Sequence, residues 1–125
     1  MRIENMFDFT NIMGTAMQGT VARGAAISNN IANVDTPRFK RSVVSFEDQL
    51  QSAVNDFRRT GNLDLSGFSP RTFVEFDHLS YRWDLNNVDI ELEMAQLYAN
   101  NMRFNIMQSG IMNHYRIINM VIGMQ

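Results

Sequence analysis

The chain is predicted to be mainly α. Long N- and C-terminal helices pack as a coiled-coil-like hairpin, joined through a short middle helix and a loosely ordered extended central segment. Three observations predict it. Apolar residues recur at alternating spacings of four and three along both ends, the repeat of one helix face. Charge avoids those ends: of 24 charged residues, 18 lie between Asp35 and Glu93, while residues 10–34 carry only Arg23 and residues 94–125 only Arg103 and Arg116. Two asparagine-rich segments mark the inner limits of the long helices, Asn29-Asn30-Ile31-Ala32-Asn33-Val34-Asp35-Thr36-Pro37 and Asn86-Asn87-Val88-Asp89-Ile90-Glu91-Leu92-Glu93-Met94. Residues 1–125 read as one domain, with an N-terminal helix over 10–33, a central segment over 34–86 and a C-terminal helix over 87–122.

Residues 1–9 mix apolar and acidic side chains without a period, which predicts a mobile start or a short helix. From Thr10 to about Asn33, Met13, Met17, Thr20, Gly24, Ile27 and Ile31 fall on one helical face. Gly14, Gly19 and Gly24 interrupt this helix, each costing about 1 kcal/mol relative to Ala. It is therefore expected to be weak alone, and Ala at all three positions is expected to stabilise it. Together with Ala16, Ala22, Ala25 and Ala26, these small residues admit a close backbone neighbour. Pro37 ends the helix, because proline disfavours helical geometry at the preceding Thr36. Asn33 is the candidate for a left-handed residue at its C-terminus.

Phe39, Val43 and Val44 predict an extended segment. Ser45, with Asp48 three residues on, has the form of a capping box. Phe46, Leu50, Ala53, Val54 and Phe57 make one apolar stripe, so a short amphipathic helix is expected over 45–58. Arg59-Thr60-Gly61-Asn62 and Ser66-Gly67-Phe68-Ser69-Pro70 carry turn chemistry. Partial alternation at Val74 and Phe76, and again at Leu79, Tyr81 and Trp83, reads as weak β structure, too short for a sizeable sheet.

The C-terminal helix is expected to start at Asn86 or Asn87, with Asn as N-cap and Asp89, Glu91 and Glu93 at the positive end of the helix dipole. Its best stripe is Ile90, Met94, Leu97, Asn101, Phe104, Gln108, Ile111, Tyr115, Ile118 and Ile122, a coiled-coil-like seam. Asn101 and Gln108 would be its buried, register-setting amides. Uncharged amides suit burial where isolated charges do not. A second stripe of Ala99, Met102, Ile106, Gly110, Ile117 and Met120 offers another face, and one helix with two contact faces calls for more than one partner.

Composition narrows the function classes. A net charge of −2 and a pI near 5.6 give no electrostatic footprint for nucleic acid. The clusters Arg38, Lys40, Arg41 and Arg58, Arg59 read as solvated or subunit-contact charges. The absence of cysteine removes disulfides, thiol nucleophiles and most zinc arrangements. His78 and His114 lack metal-ligand spacing, and spacing of two puts Asp89, Glu91 and Glu93 on different helix faces. There is no Ser elbow or Gly-rich phosphate loop, and the ten methionines read as packing material. No catalytic residue, cofactor, metal or small-molecule substrate is expected, so the chain reads as a structural subunit and not an enzyme. Glu4, Asp8, Thr10 and Asn11 interrupt the apolar start, so no cleaved secretory signal is expected, and no 18-residue apolar run is present to span a membrane.

Ala26-Ile27-Ser28-Asn29-Asn30-Ile31-Ala32-Asn33-Val34-Asp35-Thr36-Pro37, followed by Phe39-Lys40, resembles the N-terminal signature of the bacterial flagellar rod and hook family. Asn86-Asn87-Val88-Asp89-Ile90-Glu91, then Glu93-Met94-Ala95, with His78-Leu79 upstream, resembles the proximal rod protein B class within it. The short middle region agrees, since hook and distal-rod members carry large inserted domains. Arg38 stands where many members have glycine, and Phe39 replaces a common tyrosine. The resemblance implies an axial structural protein that the flagellar type III apparatus exports without cleavage. It would assemble at the base of the rod, in the periplasm and cell envelope, and help transmit torque. Implied partners are other copies of the chain, the neighbouring proximal rod protein, the adaptor between membrane ring and rod, and the export gate. The subunit interface is expected to draw on Met13, Met17, Ile27, Asn29, Asn30, Ile31, Asn33, Asn86, Asn87, Asp89 and Glu93, with the seam from Ile90 to Ile122. The alternative is a soluble helical adaptor or flagellar export chaperone that uses the Met-rich faces on a client.

Overall fold

The computed structural model describes residues 5–76 and 82–123. Its elements are α1 (Asn5–Ala32), β1 (Ser42–Ser45), α2 (Glu47–Thr60), β2 (Arg71–Val74) and α3 (Ile90–Gly123). At 1.5 Å per residue, α1 and α3 run about 42 and about 51 Å. They pack antiparallel. Phe9 lies beside Gly110 and His114, Thr20 and Gly24 meet Asn100, and Asn30 meets Glu93. The expected mainly α hairpin with a short middle helix is the observed fold, and the sheet has only two strands.

The α1 face that packs is the predicted one. Met13, Met17, Thr20, Gly24, Ile27 and Ile31 are buried or half-buried, joined by Ala16, Gly19 and Asn30. The helix starts at Asn5, ahead of the clear period, with Asp8 in its first turn, where a carboxylate complements the dipole. Gly19 is required sterically, and Gly24 sits in a tight contact. A Cβ on Gly19 would fall 2.5 Å from the Phe46 ring, and one on Gly24 would lie 3.2 Å from Asn100 Nδ2. Only Gly14 of the three has open space around it. The expectation that Ala would stabilise all three positions is therefore corrected at Gly19, because the small residue there is the seat of an aromatic ring.

On α3 the line facing α1 is Glu93, Leu97, Asn100, Phe104, Met107, Ile111, His114 and Ile118, all buried or half-buried. It shares Leu97, Phe104, Ile111 and Ile118 with the predicted seam. Ile90, Met94, Asn101, Gln108, Tyr115 and Ile122 are exposed instead. A helix almost free of charge, with apolar residues on more than one face, permits two seams through the same four residues. The packed one contains Glu93, Asn100 and His114, which look unlike core. The buried amide of the seam is consequently Asn100 and not Asn101 or Gln108. Its Nδ2 donates to the Thr20 carbonyl at 3.0 Å.

Three local boundaries differ from expectation. Ser45 closes β1 and does not cap α2. The N-cap is Phe46, without a side-chain cap bond, while its N–H donates to the Glu47 carboxylate at 3.2 Å. Helix α3 begins at Ile90, capped by Asp89, whose Oδ1 accepts from the N–H groups of Glu91 and Leu92 at 3.0 and 3.2 Å. Asn86 and Asn87 lie before it. The left-handed residues after α1 are Arg38 (φ 62°) and, across from it, Leu85 (φ 61°), not Asn33. The apolar stripe of α2 is buried or half-buried as predicted, and the helix ends on left-handed Gly61. Strand β1 pairs antiparallel with β2 in the register Ser42–Val74 to Ser45–Arg71. The expected alternation at Leu79 and Tyr81, and His78, lie outside the described residues.

Candidate functional site

The fully buried side chains at the end of the hairpin where the central segment joins α1 to α3 are polar. Asn30, Asn86 and Glu93 have 0% exposure, and Arg41 is buried beside them. Buried polar groups need partners, and those partners tie four segments together.

Asn30 sits in the last turns of α1, on the packed face. Its side-chain amide imitates a strand: Oδ1 accepts the Ser42 N–H at 2.8 Å and Nδ2 donates to the Ser42 carbonyl at 2.9 Å. Nδ2 also donates to Glu93 Oε2 at 3.1 Å. Two turns earlier on the same face, Arg23 donates Nε and Nη2 to the Val44 carbonyl at 3.3 and 3.0 Å. Together they seal the outer edge of β1. Arg23 also lies 4.7 Å over the Phe46 ring and pairs with Glu47 at 2.5 Å. Partial burial pushes the Glu47 carboxyl up, but the bond from Arg23 and the backbone N–H groups outweigh it, so Glu47 ionises more readily than usual.

Arg41 is the hub. Its Nε donates to Glu93 Oε1 at 2.7 Å, Nη1 to Glu75 Oε2 at 2.5 Å and Nη2 to Gln96 Oε1 at 3.1 Å. Glu75 returns its N–H to the Arg41 carbonyl at 3.0 Å. The Asn87 carboxamide is wedged into the other half of that strand pair. Its Oδ1 accepts the Arg41 N–H at 2.7 Å and its Nδ2 donates to the Glu75 carbonyl at 2.7 Å.

Asn86 fastens the turn that follows α1, from 50 or more residues along the chain. Its Nδ2 is shared among the carbonyls of Asn33, Val34 and Thr36 at 2.9, 3.0 and 2.8 Å. These carbonyls belong to the turn that follows α1, and the Asn33 carbonyl also accepts the Thr36 N–H at 3.0 Å. Asn86 Oδ1 accepts the Val88 N–H at 2.7 Å, turning the chain into α3. Arg38 donates its N–H to the Asp84 carbonyl at 2.8 Å, Lys40 reaches the Leu85 carbonyl, and Arg82 donates to the Val34 carbonyl at 2.9 Å.

The asparagine-rich segments thus recognise each other within one chain. Asn30, Asn86 and Glu93 were expected at a subunit interface, but their polar atoms bond within the chain and they have no surface to offer a neighbour. Glu93, read as a dipole complement, is instead the buried counter-ion of Arg41. Asn33 and Asn87 are half-buried, while Asn29 and Asp89 are exposed. Met13, Met17, Ile27, Ile31, Leu97, Phe104, Ile111 and Ile118 lie in or beside the helix seam. Sequence reasoning missed Arg23, Arg41, Glu75, Gln96 and Asn100. Arg23 did carry a signal, as the only charge in residues 10–34. Glu75 and Gln96 carried none, since their partners lie 34 and 55 residues away. The arrangement holds segments in register and leaves each Glu93 oxygen accepting a bond. Among the described residues, no group of three His, Cys, Asp or Glu is placed to hold a metal ion.

A family model described as Flagella basal body rod protein matches residues 11–40, from the packed face of α1 through Asn30 and Arg38. The flagellar basal body rod protein FlgB of Borrelia hermsii is 37% identical over 114 residues, covering 80% of this chain and 84% of that protein. FlgB of Borreliella burgdorferi gives the same identity and coverage. FlgB of Bacillus subtilis is 34% identical over 85 residues, covering 62% of this chain and 64% of its own.

Proposed function

The chain belongs to the flagellar basal body rod protein family, and we propose that it builds the proximal rod, linking the membrane ring and export gate to the rest of the rod and helping transmit torque. It is a structural component of the flagellar basal body rod. The observation that carries the finer reading is the uncovered face of α3. Tyr98, Met102, Ile106, Met112, Ile117 and Met120 are all exposed, along a helix with two charges beyond residue 93. Large apolar faces of this kind mark association surfaces. The clasp supports the mechanical part: Arg41, Glu93, Asn30 and Asn86 brace the hairpin against sliding of α1 past α3. Neighbouring copies, the next proximal rod protein and the adaptor to the membrane ring are the partners that would cover α3. The chain would pass the type III export gate to reach the periplasmic part of the rod.

The test is the double variant Met102→Asp, Ile106→Asp in cells lacking the native copy. Both side chains are exposed in the subunit, so the purified variant should keep wild-type helical content. It should be missing from isolated basal bodies, and the cells should not swim. Incorporation at the wild-type level would sink the proposal that this face packs in the rod.

A further inference from the structure

We propose that two free copies of this chain pair through β2, edge to edge and antiparallel, centred on Phe73. The inference goes beyond the place in the rod and stands or falls separately from it.

On β1, Ser42 and Val44 turn their polar groups away from β2, where Asn30 takes both groups of Ser42 and Arg23 takes the Val44 carbonyl. Arg41 and Glu75 exchange a ladder bond, so Val43 and Ser45 face β2 in turn. By the same alternation, Arg71, Phe73 and Glu75 face β1, and the N–H and C=O groups of Thr72 and Val74 face outward. One outer edge of this sheet is sealed by α1 side chains. Among the described residues, no hydrogen bond seals the other. All four residues of β2 are exposed, with Phe73 and Val74 nearly half accessible. An open edge with apolar side chains is a template for another strand.

The sequence of that edge is complementary to itself. In an antiparallel pair centred on Phe73, Thr72 of one copy faces Val74 of the other, and these are the residues whose backbone groups point outward. Phe73 then faces Phe73 of the second copy in the close, non-hydrogen-bonded position, where facing side chains interact most strongly. Arg71 faces Glu75 of the second copy on both sides of the axis. The Glu75 side chain is 23% exposed while it holds Arg41, so Arg71 can approach it from outside. A shift of register by one residue turns the wrong backbone groups outward, and a shift by two separates both Arg71–Glu75 pairs. A two-fold pair points its subunits in opposite directions, so it belongs to free chains and must open before a polar stack can form.

The chain has no cysteine, which makes register readable by oxidation. Single variants Thr72→Cys, Phe73→Cys and Val74→Cys are purified and oxidised under identical conditions. Cross-linked dimer should form fastest at position 73, where the two-fold brings identical residues together. Sedimentation of the cysteine-free protein should show a concentration-dependent dimer. Val74→Pro removes an outward N–H without touching the β1–β2 ladder, and its loss on both sides of the axis should raise the dimer dissociation constant about tenfold or more. Arg71→Glu should weaken the dimer as well, while both variants keep wild-type circular dichroism. A protein that stays monomeric, or a dimer that cross-links equally at 72, 73 and 74 or better at Met102→Cys on α3, would overturn the proposal.

Discussion

Replacing Glu93 by Gln tests the clasp most directly, because it changes charge and one atom while keeping shape. In the native chain the two carboxylate oxygens accept from different donors, Arg41 Nε at 2.7 Å and Asn30 Nδ2 at 3.1 Å. Gln has one acceptor and one donor end. Asn30 cannot adapt by flipping, since its Oδ1 accepts the Ser42 N–H and its Nδ2 donates to the Ser42 carbonyl. One NH2 must therefore face another donor at zero exposure, and the Arg41 charge loses a buried counter-ion. Removing one partner of a buried ion pair costs roughly 3–5 kcal/mol. Arg41 keeps Glu75 and Gln96, which lowers the expected loss to roughly 2–4 kcal/mol, a large part of the roughly 5–15 kcal/mol typical of a domain. Urea unfolding followed by far-UV circular dichroism measures it. Trp83 is 95% exposed and makes a poor reporter of burial. Glu91→Gln is the control, exposed at the same helix end. If the two variants lose equal stability, Glu93 acts only through the helix dipole and the clasp argument fails.

The glycines of α1 should separate by their surroundings. Gly14→Ala should stabilise the fold by about 0.5–1 kcal/mol in the same urea assay. Gly19→Ala should destabilise it by about 1–3 kcal/mol through the Phe46 ring, unless Phe46 is shortened as well. Arg38→Gly should raise the unfolding midpoint, since a left-handed residue with a Cβ costs roughly 1–2 kcal/mol, partly offset by the greater freedom of glycine when unfolded. The Arg23–Glu47 pair should be sensitive to acid. The folded Glu47 pKa is below its ordinary 4.5, so its contribution is complete above that value and disappears as pH falls through the folded pKa. Stability of wild type and Glu47→Gln, measured against pH, should therefore converge in acid, and curves that stay parallel from neutral pH downward would contradict the pair.

Elements with a one-dimensional signature were legible from the residues alone. The four-and-three period over residues 10–33 identified the α1 face, Pro37 marked its end, and the stripe from Phe46 to Phe57 located α2. The scarcity of charge beyond residue 93, where only Arg103 and Arg116 occur, indicated a helix with more than one contact face, because an ion left unpaired in a packed interior is too costly. What the period could not choose was between two seams sharing Leu97, Phe104, Ile111 and Ile118. Both are apolar enough, and only the match of Glu93 to Arg41 and of Asn100 to the Thr20 carbonyl selects the one that packs.

Sequence by itself thus determined the class of fold, the order of its three helices and the two segments that matter most. Tertiary structure decided what those segments do. Helix periodicity and turn chemistry act over a few residues, so they leave a local imprint. The clasp joins Asn30 to Glu93 across 63 residues and Arg41 to Asn87 across 46. An asparagine that fastens a distant turn has the same side chain as one that faces water, and only the folded chain places a second partner within hydrogen-bond reach.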